Sequence, residues 1–233
     1  MFSTTDRFIR VRIAHPEFLL SMGLAAALDQ QQDIEVVADD GDARNSTDSR
    51  RAHVVITDRA GGVALALRVR ELPAGQRATA PKVLVISSSC REHETRTALE
   101  AGVQGYLLQD CGTHELINGV RQLHQGARYL GAAVAQEVAA SLAREPLTLR
   151  EQQVLHQLVT GKGNKAIANA LGISEGTVKA HVKAILTKLQ AATRTEAVGI
   201  AVQRGLVPRP RPAGMGSRPS AARHVYARDA FVQ

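Results

Sequence analysis

The sequence predicts two domains of different class: an α/β domain with five parallel strands in a doubly wound sheet, then an all-α domain of four helices. Three observations predict this arrangement. Short apolar runs alternate with helical patterns over residues 8–126. Capping residues and glycine turns divide residues 147–207 into helices. The chain has 233 residues, which is long enough to build two hydrophobic cores.

The first domain has five candidate strands, at residues 10–14, 34–38, 53–57, 82–87 and 105–108. Between these strands, apolar residues recur at helical spacing, which predicts helices over residues 18–30, 63–72, 92–101 and 114–124. Residues 41–52 should form a further helix of this alternation, although they are polar and poor helix formers. Strands that are joined by helices form a parallel sheet, and right-handed crossovers place helices on both of its faces.

Two segments lie outside the predicted domains. Residues 127–146 are predicted to be a helical linker, because an alanine-rich helical stretch ends at Pro146. Residues 208–233 contain four Pro, two Gly and five Arg, a composition that predicts a disordered basic tail.

The positive charge is concentrated in the C-terminal third of the chain. The formal net charge is +7, of which residues 146–207 carry +5 and residues 208–233 carry +4, so residues 1–145 carry −2. This asymmetry indicates a polyanionic partner, and nucleic acid is the first candidate. No apolar run approaches the ~18 residues that span a bilayer. We also find no signal-peptide pattern, nucleotide loop or zinc motif, so we expect a cytoplasmic protein without membrane contact, metal or cofactor.

A helix-turn-helix pattern is the strongest signal in the basic domain. Thr148 and Glu151 have capping-box spacing. Gly172 supplies a left-handed turn between helices predicted over residues 164–171 and 175–189, and a fourth helix follows a second capping box and ends at Gly205. The third helix has a buried stripe and a separate face that carries two lysines around a small residue, Lys179, Ala180 and Lys183.

These residues resemble the LuxR-type helix-turn-helix domain of the FixJ/NarL response-regulator family. The resemblance is carried by Thr148-Leu-Arg-Glu151, Asn164-Lys165, Ile167-Ala168, Leu171-Gly-Ile-Ser174, Gly176-Thr-Val-Lys179, His181-Val182 and Arg194-Thr-Glu-Ala-Val198. It implies a recognition helix over residues 175–189. The DNA-binding residues that it implies are Lys165, Ser174, Thr177, Val178, Lys179, Ala180, His181 and Lys183, with His181 equally suited to a structural role. It implies a homodimer contact through the fourth helix at Arg194, Ala197 and Ala201, and RNA polymerase as a further candidate partner.

Given that partner domain, residues 8–126 resemble a receiver domain, which has a flavodoxin-like fold. The stretch VVITDRAGG places Asp58 at the phosphoacceptor position. KVLVISSSC places Ser87 at the hydroxyl position, and AGVQGYLLQD places Tyr106 at the switch aromatic. Gln109 stands where the family has a lysine.

The phosphotransfer site of this receiver-like domain is predicted to be degenerate. Magnesium needs hard oxygen ligands, and receivers supply two adjacent carboxylates after the first strand. This chain has His15 and Pro16 there, and the loop after Asp58 is short. We therefore expect a pseudo-receiver in which Asp58 is a structural acid or accepts a hydrogen bond from Ser87. Three other carboxylates near this edge are expected to begin a helix or to be solvated, namely Glu17, Asp39 and Asp40.

Taken together, these features predict a bacterial transcription regulator that is not an enzyme. It should bind double-stranded promoter DNA as a dimer, independently of phosphorylation. Two alternatives remain: a phosphorylation-activated two-component response regulator that uses Asp58, and a protein-binding antagonist of another regulator. Cys90 and Cys111 follow neighbouring strands at one end of the sheet, where they are either a redox switch or two unreactive thiols.

Overall fold

The computed structural model describes residues 8–37 and 52–207, and its first domain contains a six-stranded parallel sheet. The strand order is β2-β1-β3-β4-β5-β6. The strands are β1 (Ile9–Ala14), β2 (Ile34–Val37), β3 (Val54–Thr57), β4 (Lys82–Ser87), β5 (Gly105–Leu108) and β6 (Tyr129–Leu130). The first five lie within one residue of their predicted bounds at either end. Several predicted features lie outside the described residues. They are the helix over residues 41–52 (except its last residue), the carboxylates Asp39 and Asp40, and the tail from residue 208.

Helices cover both faces of the sheet, as the right-handed crossover rule requires. One face packs against α1 (Phe18–Asp29) and α5 (Thr113–His124). The other packs against α2 (Arg59–Glu71), α4 (Glu92–Ala101) and α6 (Ala132–Leu142), while α3 (Ala74–Arg77) is a single turn before β4. Among the described residues, no helix combines the length and the apolar character needed to span a membrane.

The segment predicted as a helical linker, residues 127–146, adds structure to the first domain. Its strand β6 pairs with β5, with Tyr129 opposite Gly105 and Leu130 opposite Tyr106. Its helix α6 buries Val134 completely in the core beneath β4 and β5. The prediction of five strands is therefore wrong by one, because a two-residue strand is too short to show any hydrophobic period.

The second domain consists of four helices around its own aliphatic core. They are α7 (Leu149–Val159), α8 (Asn164–Leu171), α9 (Glu175–Leu189) and α10 (Arg194–Gln203). Thr148, Ser174 and Thr193 each accept a hydrogen bond from the backbone N–H three residues later, which confirms the predicted N-caps. Gly172 has a φ of 63°, so the turn between α8 and α9 uses the left-handed conformation that glycine permits.

A buried ion pair holds α7 and α9 together. The Glu151 carboxylate accepts a hydrogen bond from the Thr148 backbone N–H at 2.7 Å and another from Lys188 Nζ at 2.9 Å. Burial by itself would raise the pKa of Glu151. The hydrogen bonds from Thr148 and Lys188 outweigh it and hold that pKa below its ordinary range. The capping box of α7 therefore also fixes the C-terminal half of the neighbouring helix α9.

The second domain contacts α4 of the first domain. The Arg204 carbonyl, just after α10, accepts a hydrogen bond from the His93 N–H at 3.2 Å. Arg144, which follows α6, donates to Glu92 at 2.7 Å and to Glu137 at 2.9 Å. An open cleft of about 650 Å³ lies between α4 and α10. The chain just after α10 therefore contacts α4, while α10 itself lines the open cleft.

Substitutions at Glu151 should separate its two contacts. Glu151→Gln keeps an oxygen for the Thr148 N–H but removes the charge opposite Lys188, whereas Glu151→Ala removes both interactions. We expect Glu151→Gln to lower the free energy of unfolding by about 1 kcal/mol and Glu151→Ala by about 2 kcal/mol. Thermal melts of the full chain, with hydrogen exchange of the α7 and α9 amides, measure this loss. Equal stability of Glu151→Ala and the parent would contradict it.

The same carboxylate should make stability depend on pH. The pKa of Glu151 is lowered by folding, so its stabilisation is complete above the unfolded pKa and is lost as the pH falls through the folded pKa. Below about pH 5, the parent should therefore lose stability more steeply than Glu151→Gln. If the stability of the two proteins falls equally steeply as the pH is lowered, this carboxylate is not responsible for the pH dependence.

Candidate DNA-binding surface and degenerate receiver pocket

Helix α9 presents a basic face to solvent. Lys179, Ala180 and Lys183 are exposed, although the α/β domain is docked against the same four-helix domain. Lys179 pairs with Glu175 at 3.4 Å on this surface, and an exposed pair of this kind contributes little to stability. The opposite side of α9 is buried in the domain core at Val178, Ile185 and Leu189. A helix with a small residue between two exposed lysines can approach the base edges in a major groove.

The other sequence-predicted contact residues lie around this face. Lys165 is exposed on the first turn of α8, and Thr177 is exposed on the first turn of α9. Ser174 Oγ accepts the Thr177 N–H at 3.0 Å, so this hydroxyl caps the helix. Helix N-termini favour phosphate groups, and this one is open to solvent. His181 is half-buried, which leaves both of its predicted roles open.

One predicted DNA contact is wrong. Val178 has no exposed surface and packs in the core of the four-helix domain, so its side chain cannot reach a base. Its position between Thr177 and Lys179 placed it within the family pattern. The helical period nevertheless turns it inward, onto the same stripe as Ile185.

The predicted dimer contact on α10 is also wrong for its two alanines. Ala197 and Ala201 are completely buried, and α10 packs against α9 and α7. Small residues do permit a close approach here, but between helices of one domain and not between two copies. Arg194 donates to the Lys162 carbonyl, which fastens the start of α10 to the loop before α8.

A basic side chain that the sequence pattern does not single out positions α8. The guanidinium of Arg150 donates to the Leu171 carbonyl at 2.9 Å, at the C-terminal end of α8, and to Gln153 at 2.7 Å. A cation at a helix C-terminus satisfies a free carbonyl and favours the helix dipole. Arg150 stands inside the block that carries the family resemblance, but no spacing rule connects it to Leu171.

At the carboxyl edge of the sheet, Asp58 joins β3 directly to α2. Its Oδ1 accepts the Gly61 N–H at 3.0 Å and lies 3.4 Å from Thr57 Oγ1, so Asp58 is the N-cap of α2. Ser87 Oγ instead accepts the Ser89 N–H at 3.4 Å. Asp58 was predicted to be a structural acid or to accept a hydrogen bond from Ser87, and in the structure it has a structural role as a helix cap.

The residues beside Asp58 do not fit a magnesium ion. The buried His15 ring contacts a β4 carbonyl at 3.3 Å and accepts the Glu17 N–H at 3.2 Å, and Pro16 has no ligating group. Gln109 donates to the Glu17 carboxylate at 3.2 Å. One carboxylate that already caps a helix is a poor match for an ion that demands octahedral oxygen ligands. Within residues 8–37 and 52–207, no His, Cys, Asp and Glu side chains cluster in a group that could hold a metal.

The remaining receiver-like positions are occupied by inward-facing side chains. Tyr106 is fully buried, which raises its pKa, and its hydroxyl donates to the Ser89 carbonyl at 3.2 Å.

Cys90 and Cys111 are half-buried free thiols, and burial raises the pKa of both. A raised pKa reduces the thiolate fraction, which favours the interpretation as unreactive thiols.

Comparison with known proteins agrees with this geometry. Residues 145–201 match the family model described as bacterial regulatory proteins, luxR family. The transcriptional regulatory protein DesR of Bacillus subtilis is 30% identical over 200 residues, which cover 84% of this chain and 98% of DesR. LiaR of the same organism, also a transcriptional regulatory protein, is 33% identical over 215 residues, which cover 85% of this chain and 99% of LiaR.

Solved structures share the fold. The response regulator RcsB of Salmonella typhimurium superposes with a TM-score of 0.64 at 20% identity, covering 82% of this chain and 98% of that chain. A structure of two RcsB dimers bound to two parallel DNAs gives a TM-score of 0.60 at 19% identity, covering 84% and 98%. The chain has the parallel sheet and the helix-turn-helix, and its relatives align with it over nearly their whole length. It therefore belongs to the FixJ/NarL-type response regulators, which are transcription regulators that bind DNA through a LuxR-type domain.

Proposed function

We propose that this chain binds promoter DNA as a homodimer through α9 and does so without aspartyl phosphorylation. The observation that carries the proposal is the exposure of Lys179, Ala180 and Lys183 while the α/β domain is docked on the same four-helix domain. The side chains that would contact DNA are therefore accessible to solvent while the two domains are docked. The protein would act in the cytoplasm, where a bacterial chromosome lies, and RNA polymerase is the expected partner at a promoter.

Phosphorylation independence is supported by the use already made of Asp58. The Asp58 carboxylate already has a structural task, because its Oδ1 accepts the Gly61 N–H at the start of α2. Neither His15 nor Gln109 supplies the charge that the missing carboxylates and lysine would provide. Without this chemistry, the α/β domain would have no autophosphorylation activity and would work as a non-enzymatic module.

A homodimer is supported by an uncovered apolar patch on α1. Phe18, Leu19 and Met22 are 73%, 81% and 56% exposed, and the helix carries no charged residue before Asp29. Contiguous apolar patches of this kind mark interaction sites. An identical uncharged patch is a suitable partner, since a twofold axis would join the two without desolvating any charge. Helix-turn-helix proteins commonly read paired half-sites, which requires two copies.

Magnesium with beryllofluoride distinguishes this proposal from a phosphorylation-activated regulator. Under the proposal, the phosphate analogue should leave both the oligomeric state and the DNA affinity of the full chain unchanged. An increase in either quantity would favour the phosphorylation-activated alternative. A chain that binds no DNA at any salt concentration would instead favour the protein-binding antagonist.

Lysine substitutions should separate two kinds of DNA contact. Lys179→Ala and Lys183→Ala should each weaken binding to a selected site by about 1–3 kcal/mol, because each removes a groove contact. Lys165→Ala should weaken all sequences alike and reduce the salt slope by about one unit, because it removes a phosphate contact. Fluorescence anisotropy on specific and random duplexes measures both effects.

The matched control is Lys82→Ala, which removes a lysine from the α/β domain at the start of β4. It should leave the affinity for both duplexes unchanged. If the double variant Lys179→Ala/Lys183→Ala binds the selected site as tightly as the parent, α9 is not the recognition helix.

Substitutions at Asp58 should affect folding but not DNA binding. Asp58→Asn keeps a good N-cap and should be nearly neutral, whereas Asp58→Ala should lower the free energy of unfolding by about 1 kcal/mol. Both variants should bind promoter DNA like the parent. Denaturant unfolding and mass spectrometry after acetyl phosphate treatment test this expectation. Stoichiometric labelling at Asp58 with a gain in DNA affinity would refute it.

A charge in the apolar patch of α1 should prevent dimer formation. Leu19→Glu should weaken self-association at least about tenfold, because two carboxylates would be buried face to face. Its folding should be unaffected, since the side chain is 81% exposed. Leu142→Glu is the matched control, because Leu142 is also a leucine in a helix and is 77% exposed. Sedimentation velocity that shows equal dimerisation for both variants would place the interface elsewhere.

A further inference from the structure

A buried arginine lies on β1, the second strand of the parallel sheet. Arg12 is 9% exposed, and within the described residues its Nε has no hydrogen-bond partner. Its neighbours in register are the apolar residues Val37 on β2 and Val55 on β3. An uncompensated buried charge is costly, and both faces of a parallel sheet are normally apolar. The Arg12 Nε is therefore a donor that a bound anion could satisfy.

Arg12 lines a pocket that is large enough for such an anion. The pocket has a volume of about 430 Å³ and lies between β1, β3 and α2. Ligand sites in proteins commonly range from about 300 to 1,000 Å³. Thr57, Asp58 and Arg68 contribute polar atoms to the wall. The apolar part of the wall consists of Ala14, Pro16, Val55, Ala64 and Leu65.

We propose that this pocket binds a small organic carboxylate. Its carboxylate would accept hydrogen bonds from the Arg12 guanidinium, whose planar donors match that group. Its hydrocarbon body would lie against the apolar wall. Asp58 disfavours a doubly charged phosphate, because its own carboxylate lines the same space. The inference concerns the α/β domain alone and does not depend on DNA binding.

The proposal is tested by titrating the full chain with benzoate, hexanoate and inorganic phosphate. Each is added to about 10 mM, because small anions are expected to bind weakly. The readouts are the Nε–Hε NMR signal of Arg12 and the melting temperature. Benzoate or hexanoate should shift the signal in a saturable way and raise the melting temperature by a few degrees, because a ligand stabilises the state that binds it. No shift with either carboxylate, or a shift with phosphate alone, overturns the proposal.

Variants connect the effect to Arg12. Arg12→Leu removes the unpaired charge, so the ligand-free melting temperature should stay equal or rise while both carboxylate effects disappear. Arg70→Leu is the matched control, because Arg70 is an exposed arginine on α2 that does not line the pocket and donates to the Glu100 carbonyl. This variant should respond like the parent. Arg12→Lys keeps the charge without the planar donors and should weaken carboxylate binding about tenfold.

Two results would overturn this assignment. A large fall in the melting temperature of Arg12→Leu, together with no carboxylate response in the parent, would mean that the chain itself satisfies the guanidinium. Carboxylate binding of equal strength in Arg12→Leu, Arg12→Lys and the parent would place the site elsewhere.

Discussion

Every strand of a parallel sheet directs side chains to both faces, and both faces have to be covered from water. In β3, Val54 and Ile56 enter the core under α1 and α5, while Val55 points to the opposite face. The helix α6 extends the cover of that second face by burying Val134 beneath β4 and β5. This is why a segment that resembled a linker in the sequence is part of the first domain. Arg12 departs from this apolar pattern and lines a pocket between β1, β3 and α2.

At the carboxyl edge of the sheet, the start of α2 determines the role of Asp58. Because α2 begins at Arg59, immediately after β3, the Asp58 side chain meets the first turn of the helix and caps it. The polar groups around it then satisfy one another: His15 bonds to backbone, and Gln109 bonds to Glu17. These contacts leave one carboxylate, Asp58, beside α2, which is a poor ligand set for magnesium.

In the four-helix domain, one buried carboxylate connects α7 to α9. Glu151 completes the cap of α7 and at the same time binds Lys188 on α9. With Val178, Ile185 and Leu189 buried, the rotation of α9 about its axis is fixed. The lysines that face solvent do so because the opposite side of the helix has no freedom to turn.

The sequence by itself determined the features whose causes lie within a few residues: the caps at Thr148, Ser174 and Thr193, the left-handed turn at Gly172, and five of the six strands. Their hydrogen bonds and hydrophobic periods are local, so a short window contains the whole signal. Only the tertiary structure decided which surface meets which partner. It buried Ala197 and Ala201 inside one domain, placed Arg150 on the end of α8, and enclosed Arg12 beside α2. Those outcomes depend on helices and strands that are distant in the chain, and no local pattern encodes the side from which they approach.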